Sequence, residues 1–240
     1  MRSIKDILAG NPYPGRGVLA GKTPAGENMI AYFIMGRSEN SRNRLFSVQN
    51  GTVKTEPFDA SKVRDPSLII YTAIRDCGKN LLVTNGDQTD TLYKDLTAGK
   101  TAEESLTGRT YEPDAPNYTP RIGCVFDRET GEYELFLLKR AQTNDACERF
   151  FYRYEGARGE GKCIHTYVTD GDPLPPYYGE PETFAIGNDR KAFAEELWNA
   201  LDENNKISLY VRFFDKNGQT KEILYNKNQK QGEETCKNYL

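Results

Sequence analysis

Residues Met35 to Arg44 (MGRSENSRNR) carry side chains of the kinds that bind anionic ligands. The stretch follows an apolar run, Met29 to Met35, and contains three arginines, two serines and two asparagines. Guanidinium, hydroxyl and amide groups together offer several donors to a phosphate or a carboxylate. A solvated loop with surface salt bridges has the same composition and is the commoner case, so composition alone leaves both interpretations open.

A second stretch, Tyr111 to Arg121 (YEPDAPNYTPR), is stiffened by three prolines and rich in polar groups. It precedes a predicted strand, and a loop held rigid at such a place can fix a carboxylate and an amide, although an ordinary connection is the alternative. Tyr71 lies in a predicted apolar strand, Leu68 to Arg75, where a core tyrosine is the usual interpretation.

Histidine and cysteine are too few and too scattered to form a common transition-metal site. His165 is the single histidine, and none of the five cysteines belongs to a CxxC pair. This spacing excludes a zinc ribbon and any mechanism with two or three histidine ligands, and it does not favour a disulfide framework. We therefore expect neither a metal nor a cofactor.

The segment Gly21-Lys22-Thr23 looks like the end of a phosphate-binding P-loop, but its surroundings do not fit. Arg16 stands where that motif needs its first glycine, and Pro24-Ala25-Gly26 predicts a turn rather than a helix. We interpret the segment as part of a hairpin and reject nucleoside triphosphate binding.

The composition predicts a folded chain without a strong overall charge. Of its 240 residues, 37% are hydrophobic and 28% are charged, and the formal net charge is −3. We expect one domain over residues 1–240 with a polar tail from about 227, and no field that attracts nucleic acid. Since no apolar run approaches the roughly 20 residues that cross a bilayer, and the first residues do not resemble a secretion signal, we expect no membrane partner and a cytoplasmic location.

The elements that would position these residues are mostly strands, with few helices. The turn Asn50-Gly51 predicts a hairpin, and Gly99 predicts the end of a helix. Together they favour an α+β protein with mostly antiparallel sheets and helices packed outside. The predicted strands cover 17–22, 29–35, 45–49, 52–54, 68–75, 81–84, 122–126, 133–139, 149–154, 162–168, 207–214 and 220–225, and the predicted helices cover 87–98, a short segment from 101, and 191–201.

Several motifs, in this order along nearly the whole chain, resemble the archaeal-type IMP cyclohydrolase family and its bacterial relatives. They are Tyr13-Pro14-Gly15-Arg16-Gly17, Gly36-Arg37-Ser38 with Asn40-Ser41-Arg42-Asn43-Arg44, Tyr71-Thr72-Ala73-Ile74-Arg75, Thr84-Asn85-Gly86-Asp87-Gln88-Thr89-Asp90, Asn117-Tyr118-Thr119-Pro120-Arg121-Ile122, Asp170-Gly171-Asp172-Pro173-Leu174-Pro175 and Gly179-Glu180-Pro181.

The resemblance implies a four-layer αββα sandwich similar to the N-terminal-nucleophile hydrolases, and cyclisation of 5-formamidoimidazole-4-carboxamide ribotide to IMP. Its functional positions fall on Arg37 for substrate orientation and anion stabilisation, Tyr71 for hydrogen bonding or proton transfer, and Glu112 for proton transfer, with Asp114 as an alternative carboxylate. The further substrate-binding candidates are Arg16, Ser38, Asn40, Arg42, Asn43, Asn85, Asp87, Asn117 and Arg121. The implied partner is a purine ribotide, and homo-oligomerisation stays open.

Two other classes of protein stay open. A hydrolase of the N-terminal-nucleophile type exposes Ser, Thr or Cys at a processed terminus, whereas this sequence begins Met1-Arg2. A purine-nucleotide-binding protein of the same fold, without turnover, would retain the arginines.

Overall fold

Two antiparallel sheets form the centre of the protein. The computed structural model describes residues 1–63, 66 and 68–228. In that part of the chain the strands are β1 (Arg16–Lys22), β2 (Asn28–Met35), β3 (Arg44–Gln49), β4 (Thr52–Pro57), β5 (Thr72–Cys77), β6 (Asn80–Thr84), β7 (Arg121–Asp127), β8 (Tyr133–Arg140), β9 (Cys147–Tyr154), β10 (Glu160–His165), β11 (Glu182–Ala185), β12 (Lys206–Phe214) and β13 (Thr220–Asn226). The helices are α1 (Ile4–Leu8), α2 (Glu39–Arg42), α3 (Gln88–Thr97), α4 (Ala102–Leu106) and α5 (Arg190–Ala200).

The first sheet has six strands in the order β11-β10-β1-β2-β12-β13, and the second has seven in the order β3-β4-β5-β6-β7-β8-β9. Hairpins join most neighbours. One of them turns at Asn50 and Gly51, which both have positive φ, as the sequence predicts.

Strand β2 shows how the layers are built. Its residues are all buried, and they alternate between two cores. Tyr32 and Ile34 pack between the sheets against second-sheet residues such as Phe46, whereas Phe33 faces the other way, with Phe193 of α5. A strand covered on both faces reads as a continuous apolar run, because successive side chains point to opposite sides.

Helices cover the outer face of each sheet. Helices α1 and α5 pack on the first sheet, and α3 and α4 pack on the second through Leu92 and Leu106. The order of layers is therefore αββα, which confirms the four-layer antiparallel sandwich. The similarity to N-terminal-nucleophile hydrolases stays a prediction.

Several strand boundaries were predicted wrongly: β4 ends at Pro57 rather than at residue 54, β9 begins at Cys147 rather than at residue 149, and two further differences have a local cause. The predicted strand at Leu68 begins only at Thr72, so Tyr71 precedes β5 rather than lying within it. The register of β4 against β5 shifts just before Thr55. The Tyr71 N–H therefore donates to the Thr55 side-chain oxygen Oγ1, at 2.9 Å, instead of to a backbone carbonyl. The Thr55 N–H donates to the Tyr71 carbonyl at 3.0 Å. Strand β10 ends at His165 rather than Val168. After His165 the chain runs beside Pro14, and the ladder stops because proline has no N–H to donate.

The predicted polar tail from about residue 227 lies mostly outside the described residues. The two of its residues that are described make contacts: the Lys227 N–H donates to the Ile207 carbonyl at 2.8 Å, and the Asn228 amide donates to the Arg42 carbonyl at 2.9 Å. No helix in residues 1–63, 66 and 68–228 is both long and apolar enough to cross a membrane.

Candidate active site

One end of the sandwich brings together residues that are far apart in the sequence. Arg16 begins β1 opposite the end of β2, and the loop that carries Glu112 runs into β7 at the same end. The Arg16 Nη1 atom lies 3.6 Å from Glu112 Oε2, and both side chains are almost completely buried. This ion pair is the centre of the candidate site.

Glu112 is a buried carboxyl group with an unusual proton affinity. Burial raises its pKa to about 7, although the positive charges of Arg16 and Arg121 oppose the rise. Its backbone is fixed by an N–H that donates to the Thr119 carbonyl at 2.9 Å. Among the described residues, Glu112 Oε2 has no hydrogen-bond partner, so the accepting capacity of this buried oxygen is unused within the fold. Glu112 can therefore accept or donate a proton near neutral pH.

Two buried guanidinium groups give the site a positive charge. Arg44 donates from Nε to the Ser41 carbonyl at 2.7 Å and from Nη2 to the Met35 carbonyl at 3.2 Å. Within the described chain, Arg44 Nη1 and Arg16 Nε have no hydrogen-bond partner. Burial lowers the pKa of Arg44, and the charge of Arg16 lowers it further, but a guanidinium keeps its proton in proteins. The two cations face one carboxyl, so the cluster favours a ligand that carries or develops negative charge.

The third group of the cluster is the phenol of Tyr71. Its hydroxyl lies 2.7 Å from the hydroxyl of Tyr32, and it interacts electrostatically with both Arg16 and Arg44. Tyr71 packs in the core between the sheets, as the core interpretation predicts, and its functional role stays a prediction.

Arg37 lies on the rim of the site rather than in the buried cluster. Its side chain is 34% exposed, and Nη1 donates to Asp170 Oδ1 at 2.5 Å and to the Gly171 carbonyl at 2.7 Å. Its guanidinium lies 5.2 Å from the ring centroid of Tyr13, which stacks on Tyr167 at 5.8 Å. One nitrogen of the Arg37 guanidinium, Nη1, is thus held by one carboxylate oxygen and one carbonyl oxygen.

Asp114, the alternative carboxylate, is already committed to the structure of its loop. It accepts from the Thr119 N–H at 2.6 Å and from the Thr119 hydroxyl, which also lies 2.5 Å from the Tyr167 hydroxyl. Asn117 in the same loop accepts from the Leu174 N–H at 3.0 Å. Glu112 is therefore the better placed of the two carboxylates.

Three other predicted binding residues brace the end of the sandwich. Asn85 donates to the Pro120 carbonyl at 2.9 Å and accepts from the Ile122 N–H at 2.8 Å. Arg121 pairs with Asp87 at 2.7 Å. These bonds hold the start of α3 against β7, and Arg121 also acts on Glu112 through its charge.

The lack of a side chain at Gly86 lets the turn before α3 pack closely against Arg121 and Glu112. A Cβ there would meet Arg121 Nη1 at 2.8 Å and Gln88 Oε1 at 2.6 Å, with Glu112 Oε1 at 3.4 Å. A larger residue would therefore displace the groups that surround the buried carboxyl.

The polar stretch after β2 forms the short helix α2. Ser38 is its N-cap, and its hydroxyl accepts from the Ser41 N–H at 3.1 Å. Ser38 and Asn40 line a cavity of about 450 Å³ together with Lys62. Ser38 is exposed, whereas Asn40 is half-buried with an Oδ1 atom that has no hydrogen-bond partner among the described residues, and both stay candidates for substrate binding.

Arg42 and Asn43 are used within the fold. Arg42 donates to the Gly36 carbonyl and to Asn205 Oδ1, both at 3.0 Å. Asn43 exchanges two hydrogen bonds with the backbone of Asp59, each 2.8 Å long.

Sequence reasoning missed Tyr32, Arg44 and the stacked pair Tyr13–Tyr167. Arg44 was part of the arginine-rich stretch but was not selected, although it opens a strand whose next residues are apolar, which signals burial. Tyr32 stands in a continuous apolar run, and nothing in the sequence separates it from a core tyrosine.

A buried carboxyl with a raised pKa, a phenol and two guanidinium groups thus lie together at one end of the αββα sandwich, an arrangement that can perform acid–base chemistry on an anionic ligand. In residues 1–63, 66 and 68–228, no group of three or more His, Cys, Asp or Glu is arranged to hold a metal ion. The family model for IMP cyclohydrolase-like proteins matches residues 13–219. The chain belongs to the IMP cyclohydrolase-like family.

Similar curated proteins come from methanogenic archaea. The IMP cyclohydrolase of Methanopyrus kandleri is 33% identical over 160 residues, which cover 65% of this chain and 75% of that protein. The IMP cyclohydrolase of Methanococcus aeolicus is 31% identical over 49% of this chain and 60% of its own length. That of Methanocaldococcus jannaschii is 29% identical over 48% of this chain and 57% of its own length.

Proposed function

We propose that this protein is an IMP cyclohydrolase, which closes the ring of 5-formamidoimidazole-4-carboxamide ribotide to give IMP and water. The observation that carries the proposal is the buried cluster of Arg16, Arg44, Tyr71 and Glu112, with three polar atoms that lack hydrogen-bond partners within the described chain. The family match and the relatives named IMP cyclohydrolase support the same reaction.

The reaction needs no external reactant. The carboxamide nitrogen attacks the formyl carbon of the same molecule, and a new C–N bond forms. The formyl oxygen then leaves as water, with one proton from the carboxamide nitrogen and one from the formamido nitrogen. Since the step is intramolecular, holding the substrate in the reactive conformation supplies much of the acceleration.

Each group in the cluster has a role in this scheme. Glu112 accepts the proton of the carboxamide nitrogen, which is a poor nucleophile until it loses that proton. Tyr71 donates a hydrogen bond to the formyl oxygen and supports its departure. Arg16 and Arg44 stabilise the negative charge that develops on that oxygen, since a fixed donor in a buried site acts more strongly than water.

Arg37 binds and orients the ribotide from the rim, and Ser38 and Asn40 add polar contacts in the neighbouring cavity. Arg42, Asn43, Asn85, Asp87, Asn117 and Arg121 support the site through the contacts described above. The proposed ligand is a small-molecule ribotide. The proposal includes no nucleic-acid or membrane partner and no cofactor, and it gives the protein a cytoplasmic location.

Incubation of the purified protein with the formylated ribotide tests the proposal. IMP should form at a rate proportional to protein concentration. A calorimetric titration with IMP should be run beside it, because binding without turnover would instead identify a purine-nucleotide-binding protein. Intact mass is the control for the third class: a processed chain beginning with Ser, Thr or Cys would favour an N-terminal-nucleophile hydrolase.

A further inference from the structure

Tyr32 has a buried hydroxyl to which the mechanism above gives no role. It lies at the middle of β2, opposite Tyr210 of β12 and Val18 of β1, and it is fully buried. Its ring stacks on Phe46 at 5.5 Å, so the orientation of the phenol is fixed by packing.

In the part of the chain that the structure describes, the hydroxyl of Tyr32 has one hydrogen-bond partner, the hydroxyl of Tyr71. The charged groups that act on the Tyr32 hydroxyl are Arg16 from β1 and Arg44 from β3, and both can only donate. The buried proton of Tyr32 therefore has the Tyr71 oxygen as its acceptor. When Tyr71 accepts from Tyr32, its own proton is free to point toward a bound ligand.

We propose that Tyr32 is a positioning residue: its hydroxyl donates to Tyr71 and directs the Tyr71 proton at the substrate. The inference rests on the proposed function, because it assigns Tyr32 to the proton path of that reaction. This role explains why position 32 is a tyrosine, because a phenylalanine would fill the same space without burying a hydroxyl group.

Burial and the neighbouring Tyr71 both raise the pKa of Tyr32. Tyr32 thus stays protonated at any pH at which the enzyme works, and it is a constant donor. Tyr71, with a small exposed fraction, is the member of the pair that can reach a ligand.

Tyr32→Phe tests the inference, with Tyr210→Phe as a matched control. Tyr210 is the cross-strand neighbour of Tyr32, lies in the same core, and its hydroxyl has its own bond to Arg212 Nε at 2.9 Å, away from the site. Both variants lose one buried hydroxyl, and Tyr210→Phe should lower the melting temperature at least as much as Tyr32→Phe, because its lost bond is to a charged guanidinium. Only Tyr32→Phe should lower kcat, by about tenfold, as for the loss of one hydrogen bond in the transition state, while KM changes little.

The double variant Tyr32→Phe/Tyr71→Phe decides whether Tyr32 acts through Tyr71. We expect it to be no slower than Tyr71→Phe alone, because the positioned group is already gone. Wild-type kcat in Tyr32→Phe, an equal loss in Tyr210→Phe, or multiplied losses in the double variant would each overturn the inference and leave the proposed function intact. A wild-type protein that does not cyclise the formylated ribotide would overturn both.

Discussion

Replacement of Glu112 by glutamine keeps the size of the side chain and removes its ability to exchange a proton. Since general acid–base catalysis contributes roughly 10²- to 10⁴-fold, we expect turnover to fall by roughly 10²-fold or more at neutral pH. In the wild type, kcat/KM should rise as the pH passes through about 7, where Glu112 loses its proton. Glu112→Gln should not show this rise of kcat/KM with pH.

The same substitution has a calculable effect on stability. Burial raises the pKa of Glu112 from 4.5 to about 7, so between these values the folded protein holds a proton that the unfolded chain has lost. The free energy of unfolding of the wild type therefore falls as the pH rises through this window. At about 1.4 kcal/mol per pH unit, the cost by pH 8 is about 3 kcal/mol. Glu112→Gln does not lose this stability, because glutamine has no proton to release.

Denaturant unfolding of both proteins at pH 4.5 and pH 8 measures this difference, because other titrating groups are common to both. The stability of the variant relative to the wild type should increase by about 3 kcal/mol between the two pH values. Asp114→Asn is the matched control for activity: Asp114 is bound to Thr119, so its loss should slow turnover much less. A constant stability difference, or a larger rate loss in Asp114→Asn, would refute the assignment of Glu112.

Three further outcomes are expected. Arg37→Lys should lose about 10²- to 10³-fold in kcat/KM, because lysine keeps the charge but not the planar fork; near wild-type turnover would reduce Arg37 to a structural contact of the rim. Tyr71→Phe should also slow turnover by roughly 10²-fold, with IMP binding retained and the double variant Tyr71→Phe/Glu112→Gln little worse than the worse single one; full activity in both single variants would point to Asp114 or to substrate-assisted cyclisation. EDTA should leave the rate unchanged, whereas loss of activity that a divalent metal restores would contradict a metal-free mechanism.

Local sequence signals predicted most of the sandwich. Hydrophobic spacing and caps predicted α3 and α5, and Asn50-Gly51 predicted its hairpin, since these signals act within a few residues. Helices α1 and α2 and strand β11 were missed because each has only four or five residues, too short for a periodic pattern. The strand at Tyr71 started late because Thr55 on a distant segment replaced a backbone partner.

The site was predictable only in part. The motifs selected Arg37, Tyr71 and Glu112 through the family resemblance, and the match over residues 13–219 confirms that family. The approach of Arg16 to Glu112 depends on the meeting of two sheets, which no local pattern encodes. Tyr32 was missed because a tyrosine within an apolar run cannot be told from a core residue until its partners are known, whereas the apolar Leu45-Phe46 after Arg44 was a usable signal of burial.

The rate of IMP formation decides whether this protein closes the purine ring. Purified wild-type protein and Glu112→Gln should be incubated at equal concentration with 5-formamidoimidazole-4-carboxamide ribotide at neutral pH, beside a protein-free sample. We expect IMP formation to be proportional to wild-type concentration and to be slower by roughly 10²-fold or more in the variant. Wild-type formation no faster than the protein-free sample, in a folded protein that still binds IMP, would contradict it.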